Sequence, residues 1–250
     1  MTTEQIERLV RAHPWHHDWE IAPGVRTNGT YNPEPMLKAL GLPADMTGVK
    51  VADVGASNGF FSFALRRRGA SVVAFDYRHK DNSGFGLAQF IDGITGIPHE
   101  QVNVLDLRAD KYGMFDVVLA LGLVYHTPDP YMALARCASM AQDRLLVEAY
   151  CDGAADGLSM RFLPDPERFP GMGQPNGDRS NFWRFSPGCL TTMLDDLGFV
   201  CSIVTLSHDR VLIDARRLSG VPNRLDLAYG VMPRVPVSGH PAEPESWTIF

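Results

Sequence analysis

Asp53, Gly55, Ala56, Ser57 and Gly59 stand together in Val51-Ala52-Asp53-Val54-Gly55-Ala56-Ser57-Asn58-Gly59, and Asp76 follows seventeen residues after Gly59. Small residues at such a turn let a ligand approach the backbone where a Cβ would block it. A carboxylate such as Asp76 can accept hydrogen bonds from both hydroxyls of a ribose. An apolar run (Gly48 to Val54) leads into the turn, Phe60 to Arg68 reads as a helix, and a second apolar run (Ala70 to Phe75) ends on Asp76. A strand, a glycine turn, a helix and an acid-tipped strand form the first half of a nucleotide-binding α/β unit. Asp53 ends the first strand, where a buried carboxylate is costly unless it meets donors or a cation.

The dinucleotide turn G-x-G-x-x-G/A fails here. Aligned on Gly55, the second and third glycine positions carry Ser57 and Phe60. A P-loop is excluded because no G-K-[ST] follows the turn.

These residues need a sheet to hold them. Strands read as Val49–Val54, Ala70–Phe75, Gln101–Leu105, Phe115–Leu121 and Leu145–Glu148, separated by helices at Phe60–Arg68, Phe85–Gly96 and Tyr131–Ala141. Strands alternating with helices predict a parallel sheet covered on both faces, with ligands beyond the carboxyl ends of its strands. A helix at Pro187–Leu197 follows, and the runs Phe199–Leu206 and Val211–Ala215 flank a hairpin turn at Ser207–Arg210. The expected fold is therefore α/β and Rossmann-like, a seven-stranded mixed sheet of five parallel strands plus an antiparallel hairpin edge. Residues 1–45, with short helices at Thr3–Ala12 and Pro35–Leu40, read as a cap or lid. Residues 46–218 form the core, with 151–185 as an inserted lid loop and 219–250 as a proline-rich tail whose end, Trp247 to Phe250, is apolar enough to dock.

Composition narrows the function. The 250 residues carry a net charge of −6, which gives no long-range attraction to nucleic acid. Arg66-Arg67-Arg68 reads as the solvated end of a helix. The four cysteines, Cys137, Cys151, Cys189 and Cys201, lack C-x-x-C spacing and read as reduced thiols. No apolar stretch reaches membrane-spanning length and the first residues lack a signal-peptide core, so a cytoplasmic location is expected.

The pattern Asp53-x-Gly55-x-Ser57-x-Gly59 resembles the first motif of class I S-adenosylmethionine-dependent methyltransferases, with Ser57 a departure from the usual glycine. The resemblance makes S-adenosyl-L-methionine the cofactor. It implies that Asp53, Gly55, Ala56, Ser57 and Gly59 cradle it, that Asp76, next to Tyr77, holds the ribose, and that Asp106, after Leu105, reads the adenine amine. It also sets Leu121 and Gly122, at the end of the fourth strand, beside the methyl group.

A narrower resemblance is to the tRNA wobble-uridine methyl/carboxymethyltransferase branch and its small-molecule relatives. It rests on Trp15-His16-His17-Asp18-Trp19-Glu20-Ile21, Gly24 to Gly29, Leu123-Val124-Tyr125-His126, Pro128-Asp129-Pro130 and Asn181 to Pro187. In carboxymethyl-transferring members an arginine precedes the late asparagine. Ser180 stands there in this chain, with Arg179 one step away, and of that carboxylate site Tyr125 alone matches. Ordinary S-adenosylmethionine is therefore expected.

Methyl transfer is an in-line displacement accelerated by alignment, and a neutral oxygen or nitrogen nucleophile also calls for a base. His126, past the fourth strand, is the candidate, with Tyr125 beside it. His16 and His17 are candidates if the Trp15 segment folds over the cleft, although either can be a packing residue. The histidine pair has no third partner at metal-ligand spacing, so no metal is expected. Glu148, at the end of the fifth strand, is a candidate acid/base partner or substrate contact. Trp15, Trp183 and Arg184 are candidate substrate contacts, with plain core the alternative for Trp183. Three functions fit: methylation of an O, N or C atom of a small metabolite, methylation of tRNA or other RNA, or a silent S-adenosylmethionine-binding regulatory module. The acidic chain, the short N-terminal region and the enclosing lids favour a small-molecule acceptor.

Overall fold

A computed structural model describes residues 1–94, 96–171 and 178–220. The N-terminal region holds α1 (Thr3–Arg11), a short antiparallel pair β1 (Glu20–Ala22) and β2 (Val25–Arg26), and α2 (Glu34–Ala39). The core continues with β3 (Lys50–Val54), α3 (Phe60–Arg67), β4 (Ser71–Asp76), α4 (Lys80–Ser83), α5 (Phe85–Asp92), β5 (His99–Gln101) and α6 (Ala109–Tyr112). Then come β6 (Phe115–Leu121), α7 (Pro130–Met140), β7 (Ala141–Tyr150), β8 (Met160–Phe162), β9 (Trp183–Phe185), α8 (Pro187–Asp196), β10 (Phe199–Leu206) and β11 (Arg210–Arg217).

The main sheet has seven strands in the order β10-β11-β7-β6-β3-β4-β5. The five strands from β3 to β7 run parallel, and the β10–β11 hairpin adds antiparallel to β7. Within this sheet the chain starts at β3, builds outward through β4 and β5, then returns to lay β6 and β7 on the other side. That reversal opens a crevice beyond the carboxyl ends of β3 and β6, where an open α/β sheet binds its ligand. The apolar runs of β3 and β6 follow from this placement, since Val51, Ala52, Val118, Leu119 and Ala120 are fully enclosed by helices on both faces.

Four local expectations are corrected. The third strand is His99–Gln101, and Val104–Asp106 is a 3-10 turn, because the Asn103 side chain accepts from the Leu105 amide and turns the chain out of the sheet. The helix from Phe85 ends at Asp92, where Gly93 takes a left-handed cap. The fifth strand spans ten residues, Ala141–Tyr150. Within 151–185, β8 pairs with β9 as a two-stranded ribbon.

The N-terminal region is built into the core: Val10, Trp15, Trp19, Ile21, Val25, Leu37 and Leu40 pack in one cluster with Phe60, Phe61, Phe63 and Phe85. All four cysteines are unpaired, Cys137 and Cys151 being buried. Among the described residues no helix is long and apolar enough to cross a membrane, and no group of three or more His, Cys, Asp or Glu is set to hold a metal. The proline-rich tail from residue 221, with Trp247 to Phe250, lies outside the described residues.

Candidate active site

The loop after β3 is shaped by left-handed backbone. Gly55, Ser57 and Gly59 have φ of 80°, 51° and 90°. A Cβ on Gly59 would come within 2.6 Å of Phe63 and 2.7 Å of Phe85, so glycine is obligatory there. Ser57 adopts a conformation that glycine takes freely, and its hydroxyl accepts from Arg78 Nη2 at 3.3 Å. The Ala56 amide meets the Phe75 carbonyl, tying the loop to β4.

Asp76 ends β4 buried under this loop. One oxygen accepts from the Ser57 amide at 2.8 Å and the other from the Arg78 amide at 2.8 Å. A carboxylate has about four lone-pair sites, so the bound pair leaves capacity for two ribose hydroxyls. Tyr77 beside it is 69% exposed, its ring open to a partner. Leu105 is half-buried and Asp106 exposed on the turn that follows β5, one strand further out than Asp76.

Asp53 is buried beneath the loop, and among the described residues its side-chain partner is the Ser62 hydroxyl at 2.6 Å. Burial pushes its pKa up to about 6, against the smaller opposing effect of Ser62. A carboxyl this poorly compensated, below a bare glycine cradle and beside ribose-competent Asp76, suits a cationic nucleoside. S-adenosylmethionine, with its sulfonium and ammonium groups, has that chemistry, and the residues present fit it.

A second set of groups gathers at the ends of β6, β7 and β11. Leu121 is half-buried opposite Glu148 in the register. Gly122 follows with φ 65°, and a Cβ there would lie 3.5 Å from the Tyr125 hydroxyl and 3.8 Å from Glu148 Oε2. Arg210 Nη1 donates to the Tyr125 hydroxyl at 2.7 Å and to Glu148 Oε1 at 3.4 Å, while the guanidinium lies over the Tyr125 ring at 5.2 Å. Burial raises the Glu148 pKa, which Arg210 partly offsets, and burial pushes the Tyr125 phenol up to about 12. Tyr125 is therefore a neutral donor at ordinary pH.

The N-terminal segment closes over this set. Asn58, in the glycine loop, accepts from the His16 amide at 2.7 Å and the His17 amide at 3.3 Å, and its own amide donates to the Ser83 carbonyl. His16 stacks on Tyr31 with ring centroids 5.9 Å apart. Burial lowers the His16 pKa, and so do the charges of Arg78, His126 and Arg210 around it, against Asp178. Tyr31 is raised by burial and then by Glu148, against Arg210. Burial likewise lowers His126, opposed by its bond to Ser180 and by Asp178.

His16, Tyr125, His126 and Glu148 thus gather beside the glycine loop, under which Asp53 and Asp76 lie. Three expected residues stand elsewhere. His17 is buried among Tyr31, Phe60 and Phe61, and burial drives its pKa to about 3, so it is a neutral packing residue. Trp15 is core, its indole N–H donating to the Val10 carbonyl at 2.9 Å. Arg184 is spent on the chain's own backbone: Nε donates to the Cys151 carbonyl at 2.9 Å and Nη2 to the His208 carbonyl at 3.3 Å. Trp183 is half-buried, donating to the Pro128 carbonyl and edge-on to Phe162. Sequence reasoning missed Arg210, Tyr31, Asn58, Arg78 and Asp178. Asn58 lay inside the recognised loop, where a non-glycine amide is itself a signal. Arg210 lay in a segment that read only as a hairpin turn.

Residues 52–144 match the family described as a methyltransferase domain. The crystal structure of the N-terminal domain of EvdMO1 with SAH bound superposes with a TM-score of 0.68 at 21% identity, over 87% of this chain and 98% of that one. The Burkholderia thailandensis 1,6-didemethyltoxoflavin-N1-methyltransferase, with 1,6-didemethyltoxoflavin and S-adenosylhomocysteine bound, gives 0.52 at 20% identity, over 73% and 75%. A ubiquinone biosynthesis O-methyltransferase of Leptothrix cholodnii is 27% identical over 131 residues, 52% of this chain and 54% of that protein. The chain spans about half the length of the curated relatives it matches, 54% and 53% for two of them.

The matched stretch is thus that of a methyltransferase domain, and the fold is the one shared with these superposed structures. Of the three proteins above, two are named methyltransferases and the third is a domain solved with SAH bound.

Proposed function

We propose that this protein moves the methyl group of S-adenosylmethionine to a hydroxyl oxygen of a small, polar acceptor, with His126 as the base. The observation that carries the reading is the meeting of His126, His16, Tyr125, Glu148 and Arg210 at the strand ends next to the glycine loop. Bound at that loop, the cofactor supplies a methyl on a cationic sulfur, and the carbon–sulfur electron pair stays on sulfur when the methyl leaves. His126 takes the proton of the acceptor hydroxyl as the oxygen–carbon bond forms. A pKa lowered by burial keeps the imidazole neutral and able to accept. Asp76 holds the ribose and Asp53 balances positive charge under the loop.

Glu148 and Arg210 favour a hydroxyl-bearing acceptor. Together they are neutral, Glu148 accepting and Arg210 donating, and among the described residues Arg210 Nε and Nη2 have no hydrogen-bond partner. An acceptor with hydroxyls can satisfy both groups, whereas an apolar one would leave them unpaired at a cost. The EvdMO1 domain was crystallised in the presence of SAH and D-fucose, and the curated relatives are named O-methyltransferases, which supports oxygen over nitrogen or carbon. The net charge of −6 supports a small molecule over RNA.

The test uses methyl-labelled cofactor with a metabolite extract and, separately, bulk tRNA. Label should enter a small molecule and sit on oxygen by mass spectrometry. His126→Ala should lower kcat by roughly a hundredfold or more while cofactor affinity holds, and Asp76→Ala should weaken cofactor binding by calorimetry. Full activity in His126→Ala, or label entering tRNA in preference, would overturn the reading.

A further inference from the structure

His126 Nδ1 lies 3.1 Å from the Ser180 carbonyl oxygen and 2.9 Å from the Ser180 hydroxyl oxygen. That hydroxyl donates to Asp178 Oδ1 at 2.6 Å, and the same carboxylate oxygen accepts from the Ser180 amide at 2.9 Å. A serine hydroxyl has one proton. Given to Asp178, it leaves Ser180 Oγ only lone pairs to offer His126. A carbonyl oxygen likewise only accepts. Both oxygens that face Nδ1 therefore require a proton on it, so the network assigns the tautomer. Nε2 is left with its lone pair, and among the described residues it has no hydrogen-bond partner. The arrangement is anchored to the fold, since the Phe182 amide donates to the Tyr125 carbonyl at 2.8 Å.

We propose that Ser180, oriented by Asp178, is a positioning residue that holds His126 as the Nδ1–H tautomer and keeps Nε2 ready to accept the acceptor's proton. The inference rests on His126 being the base. An imidazole free in water exchanges its proton between the two nitrogens, and every molecule with the proton on Nε2 is unable to act. The Asp178–Ser180 pair removes that fraction. It also faces the imidazolium, through the Ser180 hydroxyl, with a carboxylate. Burial works against the Asp178 charge, but the Ser180 hydroxyl and amide bonds and the nearby His126 and His16 outweigh it, and its pKa is lowered. The group thus stays ionised while His126 changes charge. His16, Arg210 and Tyr125, whose ring centroid is 4.2 Å from that of His126, are the other charged or titratable groups in reach, and none of them bonds Nδ1.

The experiment is ¹⁵N-histidine NMR at a pH where the ring is neutral, with the His126 signal identified by its loss in His126→Asn. The wild-type ring should carry its proton on Nδ1. In Asp178→Ala the freed Ser180 hydroxyl can donate to Nδ1, so the Nε2–H form should become a major species, with kcat falling about tenfold or more at unchanged cofactor affinity. Ser180→Ala keeps the backbone carbonyl that faces Nδ1 and removes the competing donor, so Asp178→Ala combined with Ser180→Ala should return the Nδ1–H signature. A wild-type ring protonated on Nε2 overturns the proposal, and so does an unmoved tautomer in Asp178→Ala. The wild-type spectrum decides even where a variant fails to fold. The tautomer is read without turnover, so a failure of His126 as base, seen in the activity of His126→Ala, is distinguishable from a failure of the clamp.

Discussion

Replacing Asp53 by Asn should make this protein more stable and a poorer binder of its cofactor. The carboxyl is buried and accepts from the Ser62 hydroxyl, and its pKa is pushed from 3.8 to about 6. A carboxyl whose pKa is raised by folding holds its proton more tightly in the native state than in the unfolded chain. The native state is therefore favoured by this group below pH 3.8, and that advantage is lost as pH rises through about 6. A shift of about 2 units at ~1.4 kcal/mol each amounts to about 3 kcal/mol of destabilisation at neutral pH. Asn keeps the acceptor for Ser62 without the charge. Thermal melts without cofactor should show Asp53→Asn roughly 6–12 °C above wild type at pH 7.5. The gap should shrink as pH falls below about 6 and close below pH 3.8, where the wild-type carboxyl is protonated in both states. Calorimetry at neutral pH should show weaker S-adenosylmethionine binding, because the carboxylate that balances its positive charge is gone. A variant less stable than wild type at neutral pH, or a gap that ignores pH, would refute the argument from burial.

Other expectations follow from single contacts. Gly59→Ala sets a Cβ 2.6–2.7 Å from two buried phenylalanine rings at φ 90°, and should cost about 3 kcal/mol or more by urea unfolding. Asn58→Ala removes the bonds that tether His16 and His17 to the glycine loop. It should cost about 2–3 kcal/mol and speed amide exchange across residues 13–31. Arg184→Ala should lower the melting temperature and leave the acceptor KM unchanged, because its donors meet the Cys151 and His208 carbonyls. A raised KM at unchanged stability would return it to the substrate.

The parallel strands, the glycine loop and Asp53 and Asp76 were legible in the chain because each depends on near neighbours. An apolar run of strand length, small residues at a turn and an acid at a strand end are local patterns, and the alternation of strands and helices admits few topologies. Burial is not local. Trp15, His17 and Arg184 have chemically capable side chains, and nothing in their neighbours shows that two fill the core and the third is taken up by carbonyls 24 and 33 residues away. Conversely, Val104 and Leu105 read as strand until the Asn103 side chain is seen to bond the Leu105 amide.

By itself, then, the sequence determined the α/β architecture and the loop and acids that suit S-adenosylmethionine, since backbone preference and hydrophobic spacing act over a few residues. Only the tertiary structure decided the acceptor side of the cleft. There Tyr125, Glu148 and Arg210 meet across 85 and 62 residues, and His126 finds Ser180 across 54. Such partners are chosen by which strand ends and loops the sheet order brings together, and by a hydrogen-bond geometry that no spacing along the chain encodes.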